Sequence, residues 1–388
     1  MKILFNTGVF GKHGIEHALI NLIRKIKSPD LELILHEIYE PDKKSPLFSD
    51  ISEYVIHKCS LPRSTFWGYI HMSRRKSVVS KFIDALGIFH IHNVVAESIN
   101  GMQSDLVIDY DLSLLRSAKK IKAPVIGCFH FRPKNFRSSN ASKSKRIGQR
   151  LKHYDKLIVL CPEMLVEACK VWPYLADKFI VLPNSIDTEK ISKNSNHSIQ
   201  LPEGVEPHKY FITVARLTHQ KNIQLLLQAF LVAKNLGSDW KLVIVGEGED
   251  KISLMHLVQQ LKIMDRVCFL GYQDNPYPYI KNAGAFVSSS REEGFPVSLI
   301  EALTLNCPII SLACPTGPTD ILEHGELGKL VPFTDSDAKP LGMAMFELGN
   351  DPNIVKMYKE RMRNKSDKYS SVKIGKEFTS LLMGYKRQ

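Results

Sequence analysis

Short, continuously apolar runs alternate along this chain with longer stretches in which apolar side chains recur every three or four positions. In the first half the runs predict strands at Ile3–Asn6, Leu33–Ile38, Tyr54–Lys58, Phe89–His92, Leu106–Asp109, Val125–Phe129, Leu157–Leu160 and Ile180–Leu182. Helical spacing predicts helices at Ile15–Ile26, Ser77–Leu86 and Leu112–Ile121. The second half repeats the scheme. Its predicted strands are Phe211–Val214, Leu242–Val245, Val267–Leu270, Ala285–Val287, Ile309–Leu312 and Lys329–Val331. Its predicted helices are Asn222–Leu236, Lys251–Leu261, Pro296–Leu305 and Lys339–Leu348, with a further helical stretch over Ile354–Tyr385. Strands that are apolar throughout, rather than alternating, are buried on both faces. The expected class is therefore α/β, with two doubly wound Rossmann-like domains whose ligands sit at strand C-terminal ends and in the cleft they face across.

The polar stretch Lys193–His208, with Pro202, Gly204 and Pro207, reads as a linker. It divides the chain into domains at 1–190 and 191–367, with a C-terminal helix of about residues 368–388 expected to pack back on the first.

Charge sharpens this division. The net charge is +12. Residues 51–150 carry 17 Lys and Arg against 6 Asp and Glu, residues 201–350 carry 12 against 17, and residues 351–388 carry 10 against 4. Such segregation points to an anionic partner surface. Between Arg132 and Lys156 the basic residues Lys134, Arg137, Lys143, Lys145, Arg146, Arg150 and Lys152 stand against Asp155 alone. Aromatic interleaving is limited to Phe131, Phe136 and Tyr154, which favours an anionic membrane or acceptor over nucleic acid. The run Ser138–Ser144 is serine-rich and basic and reads as mobile. Seven dispersed cysteines with no CxxC pair read as reduced core thiols of a cytosolic protein and disfavour zinc. No apolar run approaches the roughly 18–20 residues that span a bilayer. The opening MKILFNTGVFGKHG reads as a first strand rather than a signal peptide.

Candidate chemistry gathers at predicted strand ends. The run SSSREEGFPVSLIEAL follows the strand at 285–287, and Gly294, Phe295, Pro296 and Val297 lead into a helix. Proline suits a first helical turn, and the free N–H groups there attract an anion. Glu293 and Glu301 lie eight residues apart, approaching roughly 12 Å along a helix. That is wider than the roughly 5–9.5 Å of a paired acid and base. It fits either the two ends of a long ligand with an anionic middle or simply solvated acids. Arg216 and Lys221 follow the strand at 211–214 and either neutralise a diphosphate or solvate a loop. Gly246, after the strand at 242–245, either admits a nucleoside or forms a turn. Gly8, Gly11 and Gly14 lack the GxGxxG spacing, so a dinucleotide fingerprint is disfavoured. His130 closes the strand at 125–129 and either reaches a substrate or is structural. Asp109-Tyr110-Asp111 is shaped like a divalent-metal pair but lacks a third ligand, so a strand end or turn is expected and no metal is assigned.

In order, VARLTHQKNIQLLLQAF, KLVIVGEGED, VCFLGY and REEGFPVSLIEAL resemble the retaining glycosyltransferases of family 4, which have the GT-B fold. The spacing of Glu293 and Glu301 is similar to that family's paired-glutamate motif. The GxxGIE turn and Leu182–Asp187 resemble its glycine loop and interdomain segment, although His13 stands where many members carry a second glycine. The 316–320 run TGPTD is similar to sequences of bacterial members. The resemblance implies that Arg216 and Lys221 hold a donor diphosphate, that Glu301 accepts from ribose hydroxyls and that Glu293 touches the donor sugar. It further implies that Gly246 and the 294–297 backbone line the donor, that Gly14 approaches the diphosphate and that His130 lies near the reaction centre. The first domain would bind the acceptor. The implied activity is a metal-independent, retaining transfer from a nucleotide-diphospho-sugar, UDP-linked, with no cofactor. The acceptor would be a glycan or glycolipid of surface polysaccharide or lipopolysaccharide synthesis. The enzyme would be cytoplasmic, peripheral at the inner face of the cytoplasmic membrane. The rival readings are a GT-B epimerase or hydrolase of nucleotide sugars and a non-catalytic basic protein that binds membrane or nucleic acid.

Overall fold

A computed structural model describes residues 1–8, 10, 14–40, 46–62, 78–136 and 141–385, with the side chains of 46–47, 78–89 and 141–143 excepted. Gly11, His13 and residues 138–140 of the serine-rich run lie outside the described residues. The chain forms two units, Met1–Ser185 with Ser371–Gln388, and Ile186–Ser370. The stretch 193–208 thus lies within the second unit.

The first unit contains β1 (Lys2–Thr7), α1 (Gly14–Ile26), β2 (Glu32–Tyr39), β3 (Ile56–Leu61), α2 (Val78–Gly101), β4 (Leu106–Asp109) and β5 (Val125–Phe129). It continues through α3 (Pro133–Phe136), α4 (Ala141–Leu151), β6 (Lys156–Val159), α5 (Pro162–Val171) and β7 (Phe179–Val181). Its seven strands are parallel in the order β3-β2-β1-β4-β5-β6-β7. Strands β4 and β5 are buried at every position, which accounts for their unbroken apolar runs.

The second unit begins with α6 (Thr188–Asn194), β8 (Tyr210–Val214), α7 (Ile223–Asn235), β9 (Lys241–Val245), α8 (Lys251–Gln260), β10 (Val267–Gly271) and α9 (Tyr277–Lys281). There follow β11 (Ala285–Ser288), α10 (Val297–Thr304), β12 (Ile309–Leu312), α11 (Pro318–Ile321), β13 (Lys329–Val331), α12 (Lys339–Asn350) and α13 (Pro352–Met362). The parallel order is β10-β9-β8-β11-β12-β13. In both sheets the strand order reverses beside the first strand, between β1 and β4 and between β8 and β11. A doubly wound sheet binds ligands at the carboxyl ends of the strands at that reversal.

The last helix, α14 (Ser371–Met383), returns to the first unit. Ile374, Phe378 and Leu382 recur at four-residue spacing and are buried in the core that includes Phe5, Leu19 and Ile23. The Phe378 ring stacks on Phe5 at 6.2 Å between centroids.

Three expectations are corrected. Residues 89–92 are not a strand but lie inside α2. A four-residue apolar run is ambiguous between strand and buried helix. The buried residues Ile91, Val95 and Ile99 continue it with a helical spacing of four. Residues 112–121 are turns with a single 3₁₀ turn at Ala118–Lys120, not an α-helix. Leu112 has φ +58°, and the Asp109 carboxylate takes the Leu114 N–H at 3.0 Å, so side-chain bonding replaces helical bonding there. The stretch 354–385 is two helices rather than one, broken by left-handed Asn364 (φ +62°) and a 3₁₀ turn at Lys365–Tyr369.

Candidate functional site

The second unit brings two strand-end loops together at its reversal point. Loop 215–222 leaves β8, and loop 289–296 leaves β11, the strand beside it. They are stitched by hydrogen bonds. The Arg291 N–H donates to the Gln220 carbonyl at 2.8 Å, and Gln220 Nε2 donates to the Glu292 carbonyl at 3.0 Å. Ser289 Oγ donates to the carbonyls of Lys221 and Asn222 at 3.0 and 3.1 Å. Asn222 adopts the left-handed conformation (φ +50°) that turns the chain into α7.

Arg216 and Lys221 differ in their surroundings. Arg216 is exposed, and among the described residues its guanidinium meets no anionic partner. Lys221 Nζ lies 2.6 Å from Glu293 Oε1, and the Glu293 side chain is only 7% exposed. Ser290 Oγ donates to the same oxygen at 2.6 Å. A buried carboxylate is tolerable only when paired, and here a lysine and a hydroxyl pair it. Glu293 thus holds Lys221, while Arg216 stays open to an anion.

The turn after Glu293 is fixed from behind. The Glu293 N–H donates to the Pro315 carbonyl at 2.9 Å, and Thr316 Oγ1 donates to the Glu293 carbonyl. Gly317 has φ +100°, and a Cβ there would stand 2.6 Å from Pro296 Cδ. Gly317→Ala is therefore expected to cost about 1–3 kcal/mol of backbone strain and to displace the turn. A denaturation midpoint equal to that of the parent would contradict this.

Phe295 and Pro296 are buried, and the Phe295 ring meets Tyr369 edge-on at 5.5 Å. Their side chains are thus turned into the protein interior. Pro296 immediately precedes α10 rather than occupying its first turn. The N–H groups of Val297 and Ser298 open α10 at the positive end of the helix dipole, while the Leu299 N–H donates to the Pro296 carbonyl at 3.1 Å.

Glu301 sits inside α10 and accepts from the Tyr277 hydroxyl of α9 at 3.3 Å. Burial raises its pKa from 4.5 to about 7, against which the Tyr277 hydrogen bond acts. Gly246 has φ +136°, and a Cβ there would overlap the Ala215 carbonyl oxygen. The Gly246 backbone therefore lies directly against the loop that carries Arg216.

Gly14 and His130 belong to the first unit. Gly14 is the first residue of α1. His130 is buried, its ring tilted against Tyr110 at 4.6 Å. Among the described residues neither ring nitrogen has a hydrogen-bond partner of good geometry. Burial lowers its pKa to about 4, with only weak opposition from the Tyr110 backbone, so the imidazole is neutral near pH 7. Asp109 ends β4, and Asp111 lies in the turn that follows. Asp109 accepts from Tyr154 Oη at 2.6 Å and from the Leu114 N–H, and Asp111 accepts from the Gly8 N–H at 2.7 Å. Burial, then the neighbouring Asp111, raises the Asp109 pKa to about 7.

Residues 199–365 match the family model described as Glycosyl transferases group 1. This part of the chain is similar to that family, and the matched region contains every second-unit candidate from Arg216 to Glu301. Among relatives, a Campylobacter jejuni N-acetylgalactosamine-N,N'-diacetylbacillosaminyl-diphospho-undecaprenol 4-alpha-N-acetylgalactosaminyltransferase is 31% identical over 205 residues, covering 53% of each chain. The chain spans about half the length of the first curated relatives it matches, 53% to 61% for three of them, and less of others. Among solved structures, the lipopolysaccharide outer core galactosyltransferase WaaB has a TM-score of 0.74 at 20% identity over 99% of both chains. Anabaena HepE in complex with UDP and glucose also has a TM-score of 0.74, at 14% identity, over 99% of this chain and 100% of that one. The fold is GT-B, with two Rossmann-like units.

Sequence reasoning missed Tyr277, Ser290 and Thr316. Ser290 stood in a visible serine run at a strand end. Thr316 opened the TGPTD run, but its partner was not visible, and nothing local marked Tyr277, because their contacts with Glu293 and Glu301 are made 23 and 24 residues away.

Proposed function

We propose that this protein is a retaining glycosyltransferase that moves a sugar from a UDP-linked donor to a glycan or lipid-linked glycan in surface polysaccharide or lipopolysaccharide synthesis. The observation that carries this reading is the convergence of Arg216, Lys221 and the Gly294–Val297 backbone at the carboxyl ends of β8 and β11. Two cations and a helix N-terminus suit a diphosphate leaving group, whose charge grows as the bond from sugar C1 to phosphate oxygen breaks. Glu301 accepts from the ribose hydroxyls, and Glu293 meets the sugar while holding Lys221. The acceptor hydroxyl attacks C1 from the face the diphosphate leaves. Its proton passes to the departing phosphate oxygen, and the products are the new glycoside and UDP. The protein's part is positioning and charge stabilisation, with no metal or cofactor assigned. The WaaB and Campylobacter relatives act, by name, on lipopolysaccharide and on an undecaprenol-diphosphate-linked sugar, and HepE binds UDP, which supports this choice of acceptor and donor.

The proposed setting is the inner face of the cytoplasmic membrane. No described helix is long and apolar enough to cross a membrane. In the first unit, burial and then the nearby Arg116 and Arg146 lower the Arg150 pKa, so these three cations lie close together. Near anionic lipid each such charge contributes about 1 kcal/mol.

A thermal-shift series with UDP-, GDP-, ADP- and CMP-sugars tests the donor, since a ligand bound only by the folded state raises the melting temperature. UDP-sugars are expected to do so, and stabilisation by another nucleotide class alone would refute a UDP donor. The same binding should depend on pH through Glu301. Its folded pKa near 7 lies above the usual 4.5, so the folded chain holds this proton more tightly. In the free protein this group withdraws stability as pH rises from about 4.5 through about 7. Ribose hydroxyls donate to the ionised carboxylate, so nucleotide-sugar affinity should rise between about pH 6 and 8. Glu301→Gln should bind more weakly with a flat profile. Parallel profiles in calorimetric titrations of parent and variant would remove Glu301 from the ribose role.

A further inference from the structure

Strands β2 and β3 carry a cluster of donors that shares no residue with the site described above. In their parallel register Glu37 lies beside Cys59, and His57, two residues before Cys59, projects from the same face of the sheet. One ligand atom from each of Glu37, His57 and Cys59 lies within 4.8 Å of the other two. His57 Nε2 stands 2.7 Å from Glu37 Oε1 and 3.8 Å from Cys59 Sγ.

We propose that Glu37, His57 and Cys59 bind a divalent cation of the zinc class that ties the edge strand β3 to β2. A tetrahedral zinc site with bonds of about 2.0–2.1 Å to N and O and about 2.3 Å to S places N and S ligands roughly 3.6 Å apart. The observed sulfur–nitrogen separation is close to that. Nitrogen and oxygen ligands stand roughly 3.3 Å apart in such a site, so the Glu37 oxygen must retreat by about half an ångström. A carboxylate rotation supplies that movement.

The surroundings resemble the support that metal ligands receive. Glu37 is buried (2% exposed), and its other oxygen accepts from the Phe10 N–H at 2.6 Å, which fixes the carboxylate plane. A carboxylate removed from water needs hydrogen-bonding or cationic partners, and a bound cation would supply one. The Phe48 ring lies against His57 at 5.0 Å and restrains the imidazole. The His57 side chain is 17% exposed and Cys59 is half-buried, so solvent can reach a fourth position. One thiolate, one imidazole and one carboxylate favour a borderline metal of the zinc kind over magnesium or calcium, which take oxygen ligands. On binding, the Cys59 thiol proton passes to solvent and a sulfur–metal bond forms. Because β3 is the outermost strand of its sheet among the described residues, this clip would fasten an edge strand.

The full-length chain, stripped with chelator, is titrated with Co²⁺ as a spectroscopic probe and then with Zn²⁺. Expected are one Co²⁺ per chain, a near-ultraviolet thiolate-to-cobalt band abolished by Zn²⁺, and a higher melting temperature with Zn²⁺. Cys59→Ser should lose the band, and Cys307→Ser should keep it. His57→Gln should keep a thiolate band but bind at least tenfold more weakly. Absence of the band in the parent overturns the proposal, as does a band undiminished in folded Cys59→Ser. If Cys59→Ser fails to fold, parent-like affinity in His57→Gln overturns it instead.

Discussion

Replacing Lys221 by alanine is expected to lower both stability and transfer. Lys221 is the cation of a pair whose carboxylate, Glu293, is 7% exposed. Removing it leaves Glu293 buried with Ser290 as its remaining side-chain donor at 2.6 Å. Breaking a buried pair typically costs about 3–5 kcal/mol. Lys221 is itself 19% exposed, so water repays part of that and the lower end applies. Transfer should fall about 10²–10³-fold, because a fixed charge beside a leaving group stabilises the transition state more than the ground state. Denaturation midpoints and kcat/KM check the two effects separately. Adding Glu293→Gln to Lys221→Ala removes the uncompensated charge and should recover most of the stability but none of the activity. A double variant as unstable as Lys221→Ala would show that the buried charge is not the cause.

Arg216→Ala is expected to separate function from fold. Arg216 is exposed, with no anionic partner among the described residues. Its loss should change stability by no more than about 0.5 kcal/mol, as for other open surface positions. Transfer should nonetheless fall by about two to three orders of magnitude if the guanidinium grips the diphosphate. Arg216→Lys should recover only part of the rate, since an ammonium cannot make the forked contact. Parent-like kcat/KM in Arg216→Ala would remove this residue from the site.

Much of this architecture was legible before any coordinates because parallel strands buried on both faces leave unbroken apolar runs. Val125–Phe129 and Ile309–Leu312 were delimited to the residue. What misled was local ambiguity. The run at 89–92 fits strand and helix equally until the spacing of Val95 and Ile99 is added. The stretch 112–121 has helical spacing, yet the Asp109 carboxylate claims the Leu114 N–H. At the site, Arg216, Lys221, Glu293 and Glu301 were visible as charged residues beside strand ends and a helix start. Their pairing was not. Lys221 and Glu293 are 72 residues apart, and no local pattern says that one holds the other. The same reason hides the Glu37, His57 and Cys59 cluster, whose donors come from two strands rather than from one short motif.

The passage of α14 back to the first unit sets an order of events during synthesis. Residues 186–370 leave the ribosome as one uninterrupted segment and can close their sheet as soon as they emerge. The first unit, although translated earlier, lacks Ile374, Phe378 and Leu382 until the final helix appears. Until then the α1 face that α14 covers, together with Phe5, has no lid. The earlier-made half therefore reaches its native core last, and it presents an apolar surface to chaperones for as long as the later half takes to be translated.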